Sequence, residues 1–176
     1  KTPPCVDALI KAGVAHVVIA CRDPHEEMQG SNGLQKMRDA GIEVTVGLYD
    51  DEAKELNEGF FKKVQQGRPM VTAKIATTLD GRIATRSGSS KWITGGKARA
   101  KGHEFRANHD AVLIGAGTLL ADDPLLTART PGCDHQPIRI VIDRDLKIPL
   151  DSRLIETVDE SDVWVIGSPE ADQGKK

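Results

Sequence analysis

This sequence predicts two α/β units in tandem, and three observations predict them. Helical stripes alternate with apolar strand runs from residue 6 to about 66, a Gly67-Arg68-Pro69 break interrupts the alternation, and further strand runs follow it. Strands alternating with helices form parallel sheets joined by right-handed crossovers. The expected division is therefore residues 1–66, a linker at 67–69, and residues 70–176.

In the first unit Val6, Leu9 and Ile10 make a helical stripe that stops at Gly13. Val14–Cys21 is a near-continuous apolar run, the mark of a strand buried on both faces. Gly33–Ala40 reads as a short helix closed by Gly41, and Ile42–Leu48 as a second strand. Asp51–Gln66 reads as one longer amphipathic helix, with Leu56, Phe60 and Val64 at four-residue spacing. The second unit begins with a strand at Val71–Thr78, turns through Leu79-Asp80-Gly81-Arg82 and resumes at Ile83–Thr85. After the polar loop Ser87–Ser90, Thr94 is placed to cap a helix over roughly Gly96–Asn108. Ala111–Ile114, Ile138–Asp143 and Val163–Gly167 are buried-type strands.

Composition narrows the function classes. The chain has 176 residues and a net charge of −2, and no Lys/Arg cluster dense enough to track phosphates, which argues against nucleic acid as a partner. No apolar run approaches the roughly 20 residues of a membrane span, and the N-terminus is not a signal peptide. Cys5, Cys21 and Cys133 lie at unrelated spacings rather than in a disulfide framework, so a reducing, cytoplasmic setting is expected. The chain opens on Lys rather than Met and stops soon after a strand, and both ends are expected to be cut.

The richest stretch is Ala111–Thr127, AVLIGAGTLLADDPLLT. Gly115 and Gly117 let the backbone approach a ligand, Thr118 offers a hydroxyl, and Asp122 offers an acceptor for a ribose or a pyrimidine. Asp122 and Asp123 read equally as a simple turn before Pro124. Arg106 closes a helix and Arg129 follows the Asp-Asp-Pro segment; they are either ordinary surface charges or the two halves of a phosphate clamp, since guanidinium forks match phosphate oxygens. Lys74 sits at the centre of an apolar strand run, where a charge is costly unless it faces a cleft. Trp92 is either an anchor for its loop or a flat wall for a heterocycle, with the Ser90 hydroxyl beside it.

Cys5, preceded by two prolines at a helix start, is either a small helix-start residue or a thiolate suited to metal or nucleophilic chemistry. No second Cys or His stands at a metal-ligand spacing from it. The five histidines show no paired motif and read as structural or solvent-facing. GAGTLLADD lacks the third glycine of a dinucleotide fingerprint, and there is no Walker A segment.

Taken together, several segments in order resemble the bacterial bifunctional riboflavin-biosynthesis deaminase/reductase family. They are Thr2–Cys5, Ala40–Val44, Leu56–Phe60, Lys74–Ala84 (KIATTLDGRIA), Ser87–Thr94 (SGSSKWIT), Arg106-Ala107, Gly117–Pro124 (GTLLADDP) and Pro137–Asp143 (PIRIVID). The resemblance implies the rear part of a cytidine-deaminase-like domain followed by the front part of a dihydrofolate-reductase-like domain. It implies NADPH against Ala76, Trp92, Thr118 and Asp122, with the segment after Asp143 close by. It implies a small phosphoribosyl-pyrimidine substrate at Ser90, Arg106, Leu126 and Arg129, catalytic roles for Lys74 and Asp122, and Cys5 as one zinc ligand. A homo-oligomer is plausible for such a chain.

The sequence departs from that pattern in places. The family's His-Ala-Glu and earlier Pro-Cys segments are missing from these 176 residues, so zinc-dependent deamination by this chain alone is not expected. The loop Asp23–Asn32 is unlike the usual Asp-Pro-Asn-Pro run. Arg144 stands where a small polar residue is usual; it either reaches the cofactor 2′-phosphate or faces solvent. The alternative to a reductase is a non-catalytic module that binds a nucleotide or phosphoribosyl ligand.

Overall fold

A computed structural model describes residues 5–25 and 32–171. Thr2–Pro4, most of the Asp23–Asn32 loop and the last five residues lie outside the described residues. The chain divides into two compact units, Lys1–Ala73 and Lys74–Lys176. Among the described residues no helix is long and apolar enough to cross a membrane.

The first unit holds α1 (Cys5–Ala12), β1 (His16–Ile19), α2 (Gly33–Asp39), β2 (Glu43–Val46), α3 (Asp50–Leu56) and α4 (Glu58–Gln66). β1 and β2 pair in parallel, His16 opposite Glu43 through Ile19 opposite Val46. The Val6/Leu9/Ile10 stripe forms α1 as expected, and Gly13 ends it at φ 67°, its N–H on the Ile10 carbonyl at 3.1 Å. Met37 and Ile42 are buried between α2 and β2. β1 is shorter than Val14–Cys21 and alternates between exposed and half-buried residues rather than being buried on both faces; Val18 is 52% exposed. A cleft of about 430 Å³ opens at the C-terminal edge of this sheet, lined by Arg22, Val46, Gly47 and Lys54 among others.

The single helix expected over Asp51–Gln66 is two helices. Asn57 breaks it: its side-chain amide donates to the Ala53 carbonyl at 2.8 Å, while its backbone N–H turns to the Lys54 carbonyl at 3.2 Å and to the Glu55 carbonyl. Side-chain competition for a helix carbonyl is why Asn favours helix ends. Leu56, part of the anticipated apolar stripe, is consequently 86% exposed.

The second unit holds α5 (Gly96–Ala107), β3 (Ala111–Gly115), α6 (Ala116–Asp122), β4 (Ile138–Ile142), α7 (Arg153–Glu156) and β5 (Val163–Ile166). The three strands form a parallel sheet in the order β3-β4-β5, with Leu113 opposite Ile140 and Ile140 opposite Trp164. Leu119 of α6, Leu154 of α7, Leu126 and Val141 make a buried cluster on one face, flanked by Val112, Ile114 and Val163. The alternate residues Leu113, Ile142, Trp164 and Ile166 are all about half exposed.

Three local expectations change in this unit. Neither Val71–Thr78 nor the expected continuation at Ile83–Thr85 forms a strand, and Val71, Ile75 and Ile83 are exposed. Thr94 does not cap α5: Gly95 is the N-cap, no side chain caps it, and the Thr94 carbonyl instead accepts from Arg99 Nη1 at 2.6 Å. The Gly-Ala-Gly turn is the junction of β3 with α6, which runs to Asp122.

The Asp pair divides its labour. Asp123 takes a left-handed conformation at φ 40°, and its Oδ1 accepts the Arg153 N–H at 3.0 Å, capping the first turn of α7. Asp123→Ala removes that cap and is expected to cost about 1 kcal/mol, as loss of a capping acceptor usually does. Urea denaturation of the two proteins measures it.

Candidate functional site

Parallel strands deliver their following loops to one edge, where α/β proteins gather ligands. Gly115, Ile142 and Ile166 lie in register at that edge of the second unit. The segment after β3 offers open backbone: a Cβ placed on Gly115 or Gly117 would meet no atom within 4 Å. Thr118 and Asp122, four residues apart on α6, are both exposed and share one side of the helix.

After β4, Asp143 is buried and braces the turn, its Oδ2 accepting the Ile148 N–H at 2.7 Å. Arg144 beside it is exposed, with Nε 3.8 Å from Asp145 and its carbonyl accepting the Ser168 N–H at 2.9 Å. Asp145 is shared with Lys147 at 2.7 Å, so Arg144 is a solvent-facing cation only loosely neutralised. An open glycine backbone after one strand and an exposed guanidinium after its neighbour suit a phosphorylated ligand.

Trp92 is 73% exposed, so it does not anchor its loop to the core; the Arg99 guanidinium stacks over its ring at 4.4 Å from the centroid. Ser90 and Ala76 are half-buried. Leu126 is buried at φ 58° with its side chain in the apolar cluster, which leaves its backbone rather than its side chain for a ligand. Lys74 does not occupy a buried strand, and the argument from burial cost fails for it because it is exposed. Its side chain runs beside α5 instead: Lys74 Cε would stand 3.9 Å from a Cβ on Gly102.

Arg106 and Arg129 are the part of the expected set that direct contacts bring together, and His103 joins them. His103 Nδ1 lies 3.2 Å from Arg106 Nη1 and 3.2 Å from the backbone N of Arg129, while His103 Nε2 lies 3.3 Å from Arg129 Nη2. Arg129 Nη1 also donates to Thr127 Oγ1 at 3.1 Å. Gln136 brackets the same segment, accepting from the Ala128 N–H at 2.8 Å and donating to the Ala128 carbonyl at 2.9 Å. Burial, and then the neighbouring Arg129 charge, lower the Arg106 pKa from its usual value. Among the described residues no carboxylate forms an ion pair with either guanidinium, and two cations so held form a locus that an anion relieves.

His103, Thr127 and Gln136 had no expected role. The spacing of His103 and Arg106, three residues apart on one helix, puts both on the same face and was the available signal. Nothing local in the sequence ties Gln136 to Ala128.

The His103 pKa lies below the ordinary imidazole value of about 6.5, through burial first and then through Arg129 and Arg106, with a hydrogen bond to the Thr127 carbonyl opposing. The unfolded chain therefore takes up a proton here before the folded one does, and stability falls as pH drops through about 6.5, levelling off below the depressed folded value. Thermal melts between about pH 5 and 7.5 should show that slope, and His103→Gln should flatten it.

Cys5 is the first residue of α1 and is exposed. Among the described residues no group of three or more Cys, His, Asp or Glu side chains is placed to hold a metal ion. The described residues around Cys5 therefore do not fit a zinc centre.

Residues 69–176 match the family model described as the RibD C-terminal domain. The riboflavin biosynthesis protein RibD of Aquifex aeolicus is 46% identical over 176 residues, all of this chain and 49% of its own length. That of Bacillus amyloliquefaciens is 40% identical, again over the whole of this chain and 47% of its own. The diaminohydroxyphosphoribosylaminopyrimidine deaminase/5-amino-6-(5-phosphoribosylamino)uracil reductase of Thermotoga maritima superposes with a TM-score of 0.87 at 43% identity, over 97% of this chain and 48% of that one. RibD of Acinetobacter baumannii gives 0.85 at 43% identity, over 94% of this chain and 47% of that one. The chain thus spans about half the length of the relatives it matches. The mixed α/β class with parallel sheets expected from the sequence is shared with these structures.

Proposed function

Because this chain belongs to the RibD C-terminal domain family, we propose that it carries the reductase step of riboflavin biosynthesis, the NADPH-dependent reduction of the ribosyl group of 5-amino-6-(5-phosphoribosylamino)uracil to the ribityl form. The observation that carries the reading is the convergence of Arg106 and Arg129 through His103, a locus matched to the substrate 5-phosphate. The first unit is read as the rear part of a deaminase domain, without the residues for deamination.

NADPH, when bound, supplies the hydride that reaches the sugar C1. The chain's own residues bind and orient. Arg106 and Arg129 fix the phosphate end and so set where C1 lies, which is positioning by remote binding energy. Ser90 and the Leu126 backbone contact the pyrimidine and ribosyl part. Asp122 orients the sugar hydroxyls, and Lys74, beside α5, polarises the sugar oxygen. Trp92, with Ala76, walls the cofactor, Thr118 donates to it, and Arg144 meets the 2′-phosphate.

Titration with NADPH and with NADH, followed by tryptophan emission, tests the cofactor half. Saturable quenching that favours NADPH is expected. Arg144→Gln should narrow the preference by roughly tenfold, the worth of one charge-assisted phosphate contact. Equal affinity for the two nucleotides in the wild-type protein would remove NADPH from the reading. The non-catalytic alternative predicts ligand binding with no consumption of NADPH in the presence of the aminouracil substrate.

A further inference from the structure

We propose that His103 is the positioning residue of the anion locus: held as a neutral imidazole protonated on Nε2, it aligns both guanidiniums on one anionic group, and the locus binds only while the ring stays neutral. The inference rests on the clamp reading above and adds to it a residue and a protonation state.

The argument is one of donors and acceptors. A backbone N–H can only donate, and so can a guanidinium. His103 Nδ1 faces both, the Arg129 N–H and Arg106 Nη1, each at 3.2 Å. Nδ1 must therefore present its lone pair, which fixes the proton of the neutral ring on Nε2. The 3.3 Å approach of Nε2 to Arg129 Nη2 is then a contact between two donors. An anion oxygen lodged between Nε2–H and Nη2 turns that contact into two charge-assisted hydrogen bonds.

A second proton on the ring has no place to go. It would sit on Nδ1, facing the amide and the guanidinium that now donate there. The charged groups around the ring are Arg106 from its own helix and Arg129 from the segment after α6. The Lys74 side chain runs beside Gly102, one residue away. The one acidic neighbour in sequence, Glu104, is engaged by Lys101 Nζ at 2.6 Å. Protonation thus cancels the Nδ1 contacts that hold the Arg129 backbone and the Arg106 fork. A histidine that simply added charge to an anion site would strengthen binding as pH falls. Here the sign is reversed.

Sulfate is the probe that separates these cases, because it stays a dianion across the window in which phosphate itself titrates. Calorimetric titration of sulfate into the protein, in a constant chloride background, should give affinity that weakens steadily as pH falls from about 8 through the lowered His103 pKa. His103→Gln should bind within about threefold of wild type at the upper pH and show no slope, since its amide oxygen accepts and its NH₂ donates without titrating. His103→Leu, which packs but accepts nothing, should bind at least roughly tenfold more weakly at every pH. Cooperative melts establish that each variant is folded. A long-range ¹⁵N spectrum of the ring should show the Nε2–H form in the free protein.

Affinity that rises as pH falls, undiminished binding by the Leu variant, or an Nδ1–H ring overturns the proposal and leaves the clamp standing. No sulfate binding by wild type at any pH overturns the clamp and the role of His103 together.

Discussion

Arg129→Met is expected to weaken binding of ribose 5-phosphate by roughly ten- to a hundredfold while leaving the melting temperature no lower than that of wild type. The loss follows from removing one guanidinium from a charge-assisted pair of contacts, worth about 1.5–3 kcal/mol. The retained stability follows from the arrangement of the free site. Arg129 lowers the pKa of both Arg106 and His103, so its charge strains its neighbours until an anion arrives. Deleting it relieves that repulsion at the expense of the Thr127 contact. A residue kept against the interest of the fold is the mark of a ligand site. Calorimetry with ribose 5-phosphate and a thermal melt on the same samples give both numbers. A large drop in melting temperature with unchanged affinity would make Arg129 a structural residue.

Arg139→Met is expected to do the reverse, destabilising the second unit by about 3 kcal/mol or more through buried groups left without partners. Arg139 is fully buried in β4. Its Nη1 donates to the Leu125 carbonyl at 3.2 Å and to Thr157 Oγ1 at 2.7 Å. Its Nη2 donates to the carbonyls of Thr157 at 2.7 Å and Ser161 at 2.5 Å. One side chain thus ties the loop after α6 to the turn before β5. Arg139→Lys should rescue little, because an ammonium cannot span four acceptors arranged for a planar fork. Denaturant midpoints measure both substitutions, and a loss under about 1 kcal/mol for Met would show that water replaces the fork.

Arg139 and Lys74 show what was legible in the sequence and what was not. Both are cations inside apolar runs, IRIVI and VTAKIAT, and both invite the argument that a charge in a buried strand must face something. The argument holds for Arg139, which is buried and faces carbonyls. It does not hold for Lys74, whose segment pairs with no strand and is exposed. Apolar patterning identifies residues able to form a strand, whereas pairing depends on a neighbour elsewhere in the chain. The same limit separates β3, β4 and β5, all found close to their expected bounds, from the split of α3 and α4. That split turns on one amide reaching back to the Ala53 carbonyl.

At the anion locus the arginines were legible because guanidinium carries a strong prior for phosphate. The histidine between them was not, since a single imidazole acquires meaning only from what its two nitrogens face. Gln136 was invisible for the same reason, eight residues from the backbone it brackets.

The stacking of Arg99 on Trp92 has an optical consequence. The chain has two indoles, and they stand in different surroundings: Trp92 under a guanidinium and Trp164 on the open side of the parallel sheet, both largely or half exposed. Replacing Trp164 by Phe leaves a single emitter in the wall assigned to the nicotinamide cofactor. Reduced nicotinamide absorbs where indole emits, so its arrival at that wall would be visible as energy transfer from Trp92, with emission reappearing at the cofactor's own longer wavelength.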